Sequence, residues 1–174
     1  FDAVTGTPLW QLQLPGQYAF SSPPTATDGV VYAGGAGSGG TVYAVDEATQ
    51  TVLWTQSVAN GDDSSPVVPR RSVFVSYACP QTYALDRSTG AVRWHYSGGC
   101  SGGGGKTAVY HRGLLYARDV FFGPDNGDVF DGSNGNLLGT FRSTPAPAFD
   151  QERGYFLQSG TLTCRNVVTG QVVW

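Results

Sequence analysis

An all-β fold, a β-propeller built of four-stranded blades, is predicted by three observations. First, one nine-residue motif recurs five times, as DAVTGTPLW (2–10), DEATQTVLW (46–54), DRSTGAVRW (86–94), DGSNGNLLG (131–139) and NVVTGQVVW (166–174). Second, its closing positions, Trp10, Trp54, Trp94, Gly139 and Trp174, are spaced by 44, 40, 45 and 35 residues, and a period near ~40 residues is the length of one four-stranded blade. Third, the intervening stretches are short, β-branched and aromatic, and are punctuated by 25 glycines and 10 prolines without any run of helical period. The expected organisation is a partial blade over residues 1–16, followed by blades over about 17–60, 61–98, 104–142 and 143–174.

Each full period opens on a small-residue or proline-containing lead-in (SSPPTA, SSPVV, GKTAV, TPAPAF) and continues into a β-rich run (GVVYAGG, SVFVSYA, GLLYARD, GYFLQSG), which supplies strands one and two. The third strand carries TVYAVD, QTYALD, GDVFD and TLTCRN, and the fourth begins within the nine-residue motif. That motif spells a turn. An aspartate at its start accepts hydrogen bonds from backbone N–H groups two or three residues on, and Thr-Gly supplies a positive φ. Asp2, Asp46, Asp86 and Asp131 are therefore expected as turn residues and not as metal ligands or catalysts. The recurring Trp10, Trp54, Trp94 and Trp174 are expected to fill the wedge between neighbouring blades, each burying roughly 150–250 Å². Gly139 breaks this column, so its blade is expected to be looser or filled from elsewhere, with Phe141 the candidate. Cys164 shares a column with Ala44, Ala84 and Val129 and is expected as a small buried core residue.

A count of strands bears on closure. Four pairs of first and second strands accompany five copies of the motif, so in a four-bladed ring the first and last copies would compete for one place. The expectation is an arc of four near-complete blades preceded by the outer half of another, a segment of a seven- or eight-bladed propeller. Its open edges would be covered by the remaining blades of a parent chain or by a second copy.

Composition narrows the function. Charged residues make up 13% of the chain, Lys106 is its one lysine and the net charge is −3, so no basic face is available to follow a nucleic-acid backbone. No apolar run approaches the ~18 residues needed to cross a bilayer. The stretch CSGGGGKTAVY (100–110) resembles a phosphate-binding loop, but Cys100 stands where the first glycine is required and strands, not a helix, follow. The oxygen-rich PDNGDVFDGSNGN places glycine at the third position counted from Asp125 and at the fifth from Asp131, so neither register makes a calcium loop. His95 and His111 have no acid or nucleophile at recognisable spacing.

The repeats YAVDEATQTVLW, YALDRSTGAVRW and FDAVTGTPLW resemble the tryptophan-docking repeat of the pyrroloquinoline quinone-like propellers. That family includes quinoprotein alcohol dehydrogenases, the propeller lipoprotein of the bacterial outer-membrane assembly machine, and many secreted or sensor-domain proteins. The resemblance spans essentially the whole chain and implies the fold. The family's enzymes carry a disulfide between adjacent cysteines, a catalytic Asp and a calcium-binding Glu/Asn/Asp set. This chain has no adjacent cysteines, and none of its residues matches that set, so no cofactor and no metal is expected.

Propeller geometry places the second-to-third loops and the blade-to-blade crossings on one face and the Thr-Gly turns on the other. Residues 34–40, 77–81, 97–106 and 118–128 share the loop face, and Tyr77, Gln81, His95, Lys106, Arg118, Asp119 and Phe121 are its candidate ligand contacts. Cys79 and Cys100 rim the same face. The expected reading is a disulfide, which implies an extracellular or periplasmic home; the alternative is two unlinked thiols in a reducing compartment. The expected function is a non-enzymatic binding or scaffolding propeller of a secreted or surface protein, with a protein or small-molecule ligand on the loop face. The alternatives are a fragment of a quinone-dependent dehydrogenase whose active site lies elsewhere, and the sensor propeller of a signalling protein.

Overall fold

The computed structural model describes residues 1–37, 39–60, 64–79, 81–99, 106–118 and 127–174. Among them there is no helix. Among the described residues fifteen strands form four antiparallel sheets, and the chain is a propeller segment. The first sheet contains β1 (Gln17–Ala19), β2 (Thr25–Thr27), β3 (Val30–Gly37), β4 (Thr41–Asp46) and β5 (Thr51–Ser57). Its innermost row is broken in two, because β1 and β2 both pair with β3. Pro23 and Pro24, which lie between them, have no N–H to continue a ladder.

The second sheet holds β6 (Ser72–Tyr77), β7 (Gln81–Asp86) and β8 (Val92–Ser97). Four strands were expected here, yet the inner row is reduced to a single bridge between Val67 and Phe74. Pro66 and Pro69 flank that bridge and remove the donors on either side. The third sheet is complete, with β9 (Val109–His111), β10 (Leu114–Arg118), β11 (Gly127–Asp131) and β12 (Leu137–Phe141). The last contains β13 (Ala148–Asp150), β14 (Arg153–Gln158) and β15 (Thr161–Asn166), and a bridge from Arg165 to Val172 begins its outer edge.

One irregularity recurs at the same place in three sheets. The pairing shifts register between Ala44 and Val45, between Ala84 and Leu85, and between Val129 and Phe130, leaving one extra residue in the outer strand just before Trp54, Trp94 and Gly139. A bulge of this kind bends the strand and re-aims the next side chain. Here it turns the ring off its own sheet and onto the next. Trp54 lies on Gly90, where an added Cβ would fall 2.5 Å from the ring, and Trp94 lies on Gly135, where it would fall 2.6 Å away. Both glycines have positive φ (75° and 77°), so they serve the turn and the close approach together. The indole N–H groups donate to the carbonyl oxygens of Arg87 and Gly132 at 3.0 and 3.1 Å.

These contacts organise the core as wedges between sheets. The first wedge packs Tyr32, Val42, Ala44 and Trp54 against Val73, Val75, Tyr77 and Leu85. The second packs Phe74, Ala84 and Trp94 against Ala108, Leu115, Ala117 and Phe130. Between the third and fourth sheets the fill is aromatic, with Phe149 4.6 Å from Tyr116 and 6.2 Å from Phe156, and Phe141 6.5 Å from Phe156. Cys164 is fully buried. Arg87 also ties the first two sheets together: its guanidinium donates to Asp28 (2.7 Å), to the Tyr32 hydroxyl (3.1 Å) and to the Arg70 carbonyl oxygen (3.1 Å).

Candidate functional site

The loop-face residues fall into three groups. Gln81 and His95 belong to one network, in which Gln81 Oε1 accepts from His95 Nε2 at 2.7 Å while Gln81 Nε2 donates to Ser97 Oγ and to the Cys79 carbonyl oxygen. The His95 ring stacks on Tyr83 with centroids 3.9 Å apart, and burial pushes its imidazole below the ordinary histidine value. Tyr77 pairs with Gln81 across the hairpin, but its side chain is buried. It packs toward Gly34 of the neighbouring sheet, where an added Cβ would lie 2.5 Å from its hydroxyl. Arg118 donates to the Ser143 carbonyl oxygen of the last sheet's lead-in. Lys106 is exposed. Asp119, Phe121 and Cys100 lie outside the described residues, and with Cys100 the pairing to Cys79; Cys164 is a free cysteine.

The repeat aspartates work within their own turns. Asp2 accepts from the Thr5 N–H at 2.7 Å and from its hydroxyl at 2.9 Å, and Asp46 accepts from the same groups of Thr49 at 2.6 and 2.8 Å. Asp86 accepts from both groups of Ser88, and Asp131 from both groups of Ser133. Hydrogen bonds to the charged form stabilise it. The Thr5 and Thr49 amides thus hold Asp2 and Asp46, and the Ser88 and Ser133 hydroxyls hold Asp86 and Asp131, below the usual carboxylate range. His111 is likewise engaged, with Nε2 donating to the Gln151 carbonyl oxygen at 2.8 Å and its ring stacked on Phe149. Among the described residues no three His, Cys, Asp or Glu side chains gather into a group able to hold a metal ion.

A different feature stands on the opposite, turn-bearing face. Between the second and third sheets a cleft of about 660 Å³ is walled by Arg70, Arg71, Arg93 and Arg112, four of the ten cationic residues of the chain. Arg70 and Arg112 occupy the first position of their hairpin turns with φ of 35° and 50°, the positive φ that tight hairpin turns use. At the base of the cleft Phe74 stacks on Tyr110 with centroids 5.3 Å apart. Arg93 donates to Ser72 Oγ at 3.1 Å, and Arg112 stands 3.8 Å from the exposed Glu152. Among the described residues the guanidinium groups of Arg70 and Arg71 have no acceptor. Asp131 borders the cleft, with its carboxylate already committed to Ser133. Planar guanidinium forks beside an aromatic floor bind carboxylates in pairs of parallel hydrogen bonds. Sequence reading passed over this site because its arginines come from three separate turns and strands; the visible signal was an arginine at the first hairpin of two consecutive periods.

Among the described residues no helix is long and apolar enough to cross a membrane. No curated protein matches the chain by sequence. Among solved structures, BamB from Moraxella catarrhalis is 16% identical with a TM-score of 0.66, over 84% of this chain and 45% of that one. The quinohemoprotein alcohol dehydrogenase from Comamonas testosteroni is 13% identical with a TM-score of 0.73, over 91% of this chain and 35% of that one. The computationally designed Ika4 protein is 15% identical with a TM-score of 0.68, over 91% of this chain and 99% of that one. The chain thus spans less than half the length of the natural proteins it resembles, and these likenesses show the fold alone. The family model described as outer membrane protein assembly factor BamB matches residues 1–174, and the chain belongs to this family of pyrroloquinoline quinone-like repeat propellers.

Proposed function

We propose that this chain is a binding and scaffolding segment of a propeller in a periplasmic or surface protein, and that its arginine-walled cleft grips a carboxylate-bearing segment of a partner protein. One observation carries this reading: among the described residues Arg70 and Arg71 stand without acceptors in a cleft shared with Arg93 and Arg112, while the chain's repeat aspartates and both histidines are engaged in holding turns and sheets. The loop face, with Gln81, His95, Lys106 and Arg118 around it, is a second surface for a partner, and Tyr77 supports it from within. The open sheet edges at either end are places for further blades or a second copy. A dehydrogenase segment is the competing reading, supported by fold likeness.

The test is a titration with an acidic peptide of alternating Glu and Gly, followed by calorimetry at low and high salt. Binding is expected to weaken at least roughly tenfold in Arg70→Ala/Arg71→Ala, since hydrogen bonds to charged groups contribute about 1.5–3 kcal/mol each, with the melting midpoint unchanged. Equal affinity in the double variant overturns the reading. Uptake of pyrroloquinoline quinone with calcium, followed by dye-linked alcohol oxidation, would favour the dehydrogenase instead. An oxidising home with a Cys79–Cys100 disulfide predicts one reactive thiol per unfolded, unreduced chain; three would place the protein in a reducing compartment.

A further inference from the structure

Two of the junctions between sheets are filled by an indole in the same frame. At the first, Trp54 rests on Gly90 and donates to the Arg87 carbonyl oxygen, while the Arg87 N–H bonds to the Arg71 carbonyl oxygen of the adjacent hairpin at 3.0 Å. At the second, Trp94 rests on Gly135 and donates to the Gly132 carbonyl oxygen, while the Gly132 N–H bonds to the Gly113 carbonyl oxygen at 2.8 Å. The third junction repeats this frame. Gly170 has φ of 75°, the Val167 N–H bonds to the Glu152 carbonyl oxygen at 2.8 Å, and the bulge before Gly139 is in place.

The ring is what differs. Gly139 has no side chain, and beyond each glycine and its chain neighbours no described atom lies within 4 Å of where a Cβ would stand on Gly139 or on Gly170. A cleft of about 620 Å³ remains, lined among others by Tyr116, Phe141, Phe156, Arg165, Val167 and Gly170. The Arg165 guanidinium lies 5.8 Å from the centre of the Phe156 ring, so the cleft is bordered by aromatic faces and by a cation able to stack on one more. The molecule itself shows twice what such a frame accepts.

The geometry points to this cleft as a binding site for an indole ring supplied from outside the chain, with one face on Gly170 and its N–H donated to the Val167 carbonyl oxygen. The same group is presented by a free indole compound and by an exposed tryptophan of another polypeptide. A benzofuran ring has the shape without the donor, and one neutral hydrogen bond separates the two by roughly threefold to tenfold in affinity.

The test is an amide-resolved NMR titration of the 174-residue chain with indole, with benzofuran, and with an acetylated, amidated Gly-Trp-Gly peptide. Indole is expected to give saturable shifts centred on Gly139, Val167 and Gly170, with benzofuran weaker by that factor. Gly139→Trp places the missing ring on the chain; it is expected to raise the melting midpoint and abolish the shifts. If that variant does not fold, nuclear Overhauser contacts from bound indole to Phe156 and Val167 in the unaltered protein decide the same point. Peptide binding as tight as free indole assigns the site to a partner's tryptophan, and exclusion of the peptide assigns it to a small indole compound. No saturable shift with any probe, shifts that persist in a folded Gly139→Trp, or benzofuran binding as tightly as indole overturns the proposal.

Discussion

The junction between the second and third sheets and the junction between the third and fourth have the same backbone frame and different fillings. At the first, positions 94 and 96 are both aromatic: Trp94 is buried on Gly135, and Tyr96 packs 4.8 Å from Phe130. At the second, position 139 is empty and only its counterpart two residues on, Phe141, is aromatic. Phe141 does fill part of the wedge, over Gly127 and 5.7 Å from Tyr116, but it leaves the outer slot open. The bulge and the turn form in both places. They are therefore properties of the Asx turn and the positive-φ glycine, and the ring is a later addition that uses the frame without creating it.

Three measurements can break or sharpen this contrast. The largest effect is expected from removing a docked ring. Trp54→Ala and Trp94→Ala should each destabilise the chain by roughly 3–5 kcal/mol in denaturant unfolding, as for other buried large-to-Ala changes, whereas Trp174→Ala, whose side chain is 58% exposed, should change stability by about 0.5 kcal/mol or less. Similar losses at all three sites would mean that docking on glycine is not what stabilises the wedges. A smaller effect separates the receiving glycines. Gly170→Ala should cost only the left-handed strain of about 1–2 kcal/mol. Gly90→Ala and Gly135→Ala should cost at least twice as much as Gly170→Ala, because each Cβ must also displace a ring; equal shifts in melting midpoint at the three positions would refute that.

The smallest effect concerns the turns. The carboxyls of Asp46 and Asp86 are held below their unfolded values, so the stability they contribute is complete above the ordinary carboxylate range and is lost as pH falls through their depressed folded values. Asn166 makes the same turn with its amide oxygen, accepting from the Val168 and Thr169 N–H groups at 2.9 Å, and has no proton to gain. In an acid titration below about pH 4 the Thr49 amide resonance should move while that of Thr169 stays still. A parallel response of the two amides would show that the carboxylate charge does not matter to the turn.

Much of this molecule was legible in its sequence because the information is local. The period, the Asp-x-x-Thr-Gly turn and the column of tryptophans are each set by residues within one repeat, and the turn needs only a short side-chain acceptor and one glycine. Gly139 was visible in the same way as a gap in a column. What the sequence could not determine is anything that one sheet decides for the next. Trp54 and Trp94 are buried because Gly90 and Gly135 stand opposite them in the following sheets, and Trp10 remains 37% exposed although its motif is as good. The turn one repeat further on from Trp10 carries Gln50 in place of glycine. Tyr77 was read as a surface contact from its loop position and is buried because Gly34 of the preceding sheet lets it in. Arg70, Arg71, Arg93 and Arg112 are spread over more than forty residues and become one cleft only when the second and third sheets pack side by side. Repetition along the chain determines the blade, and contacts between blades determine which of its identical positions are filled, open or charged, because burial is a property of the neighbour as much as of the residue.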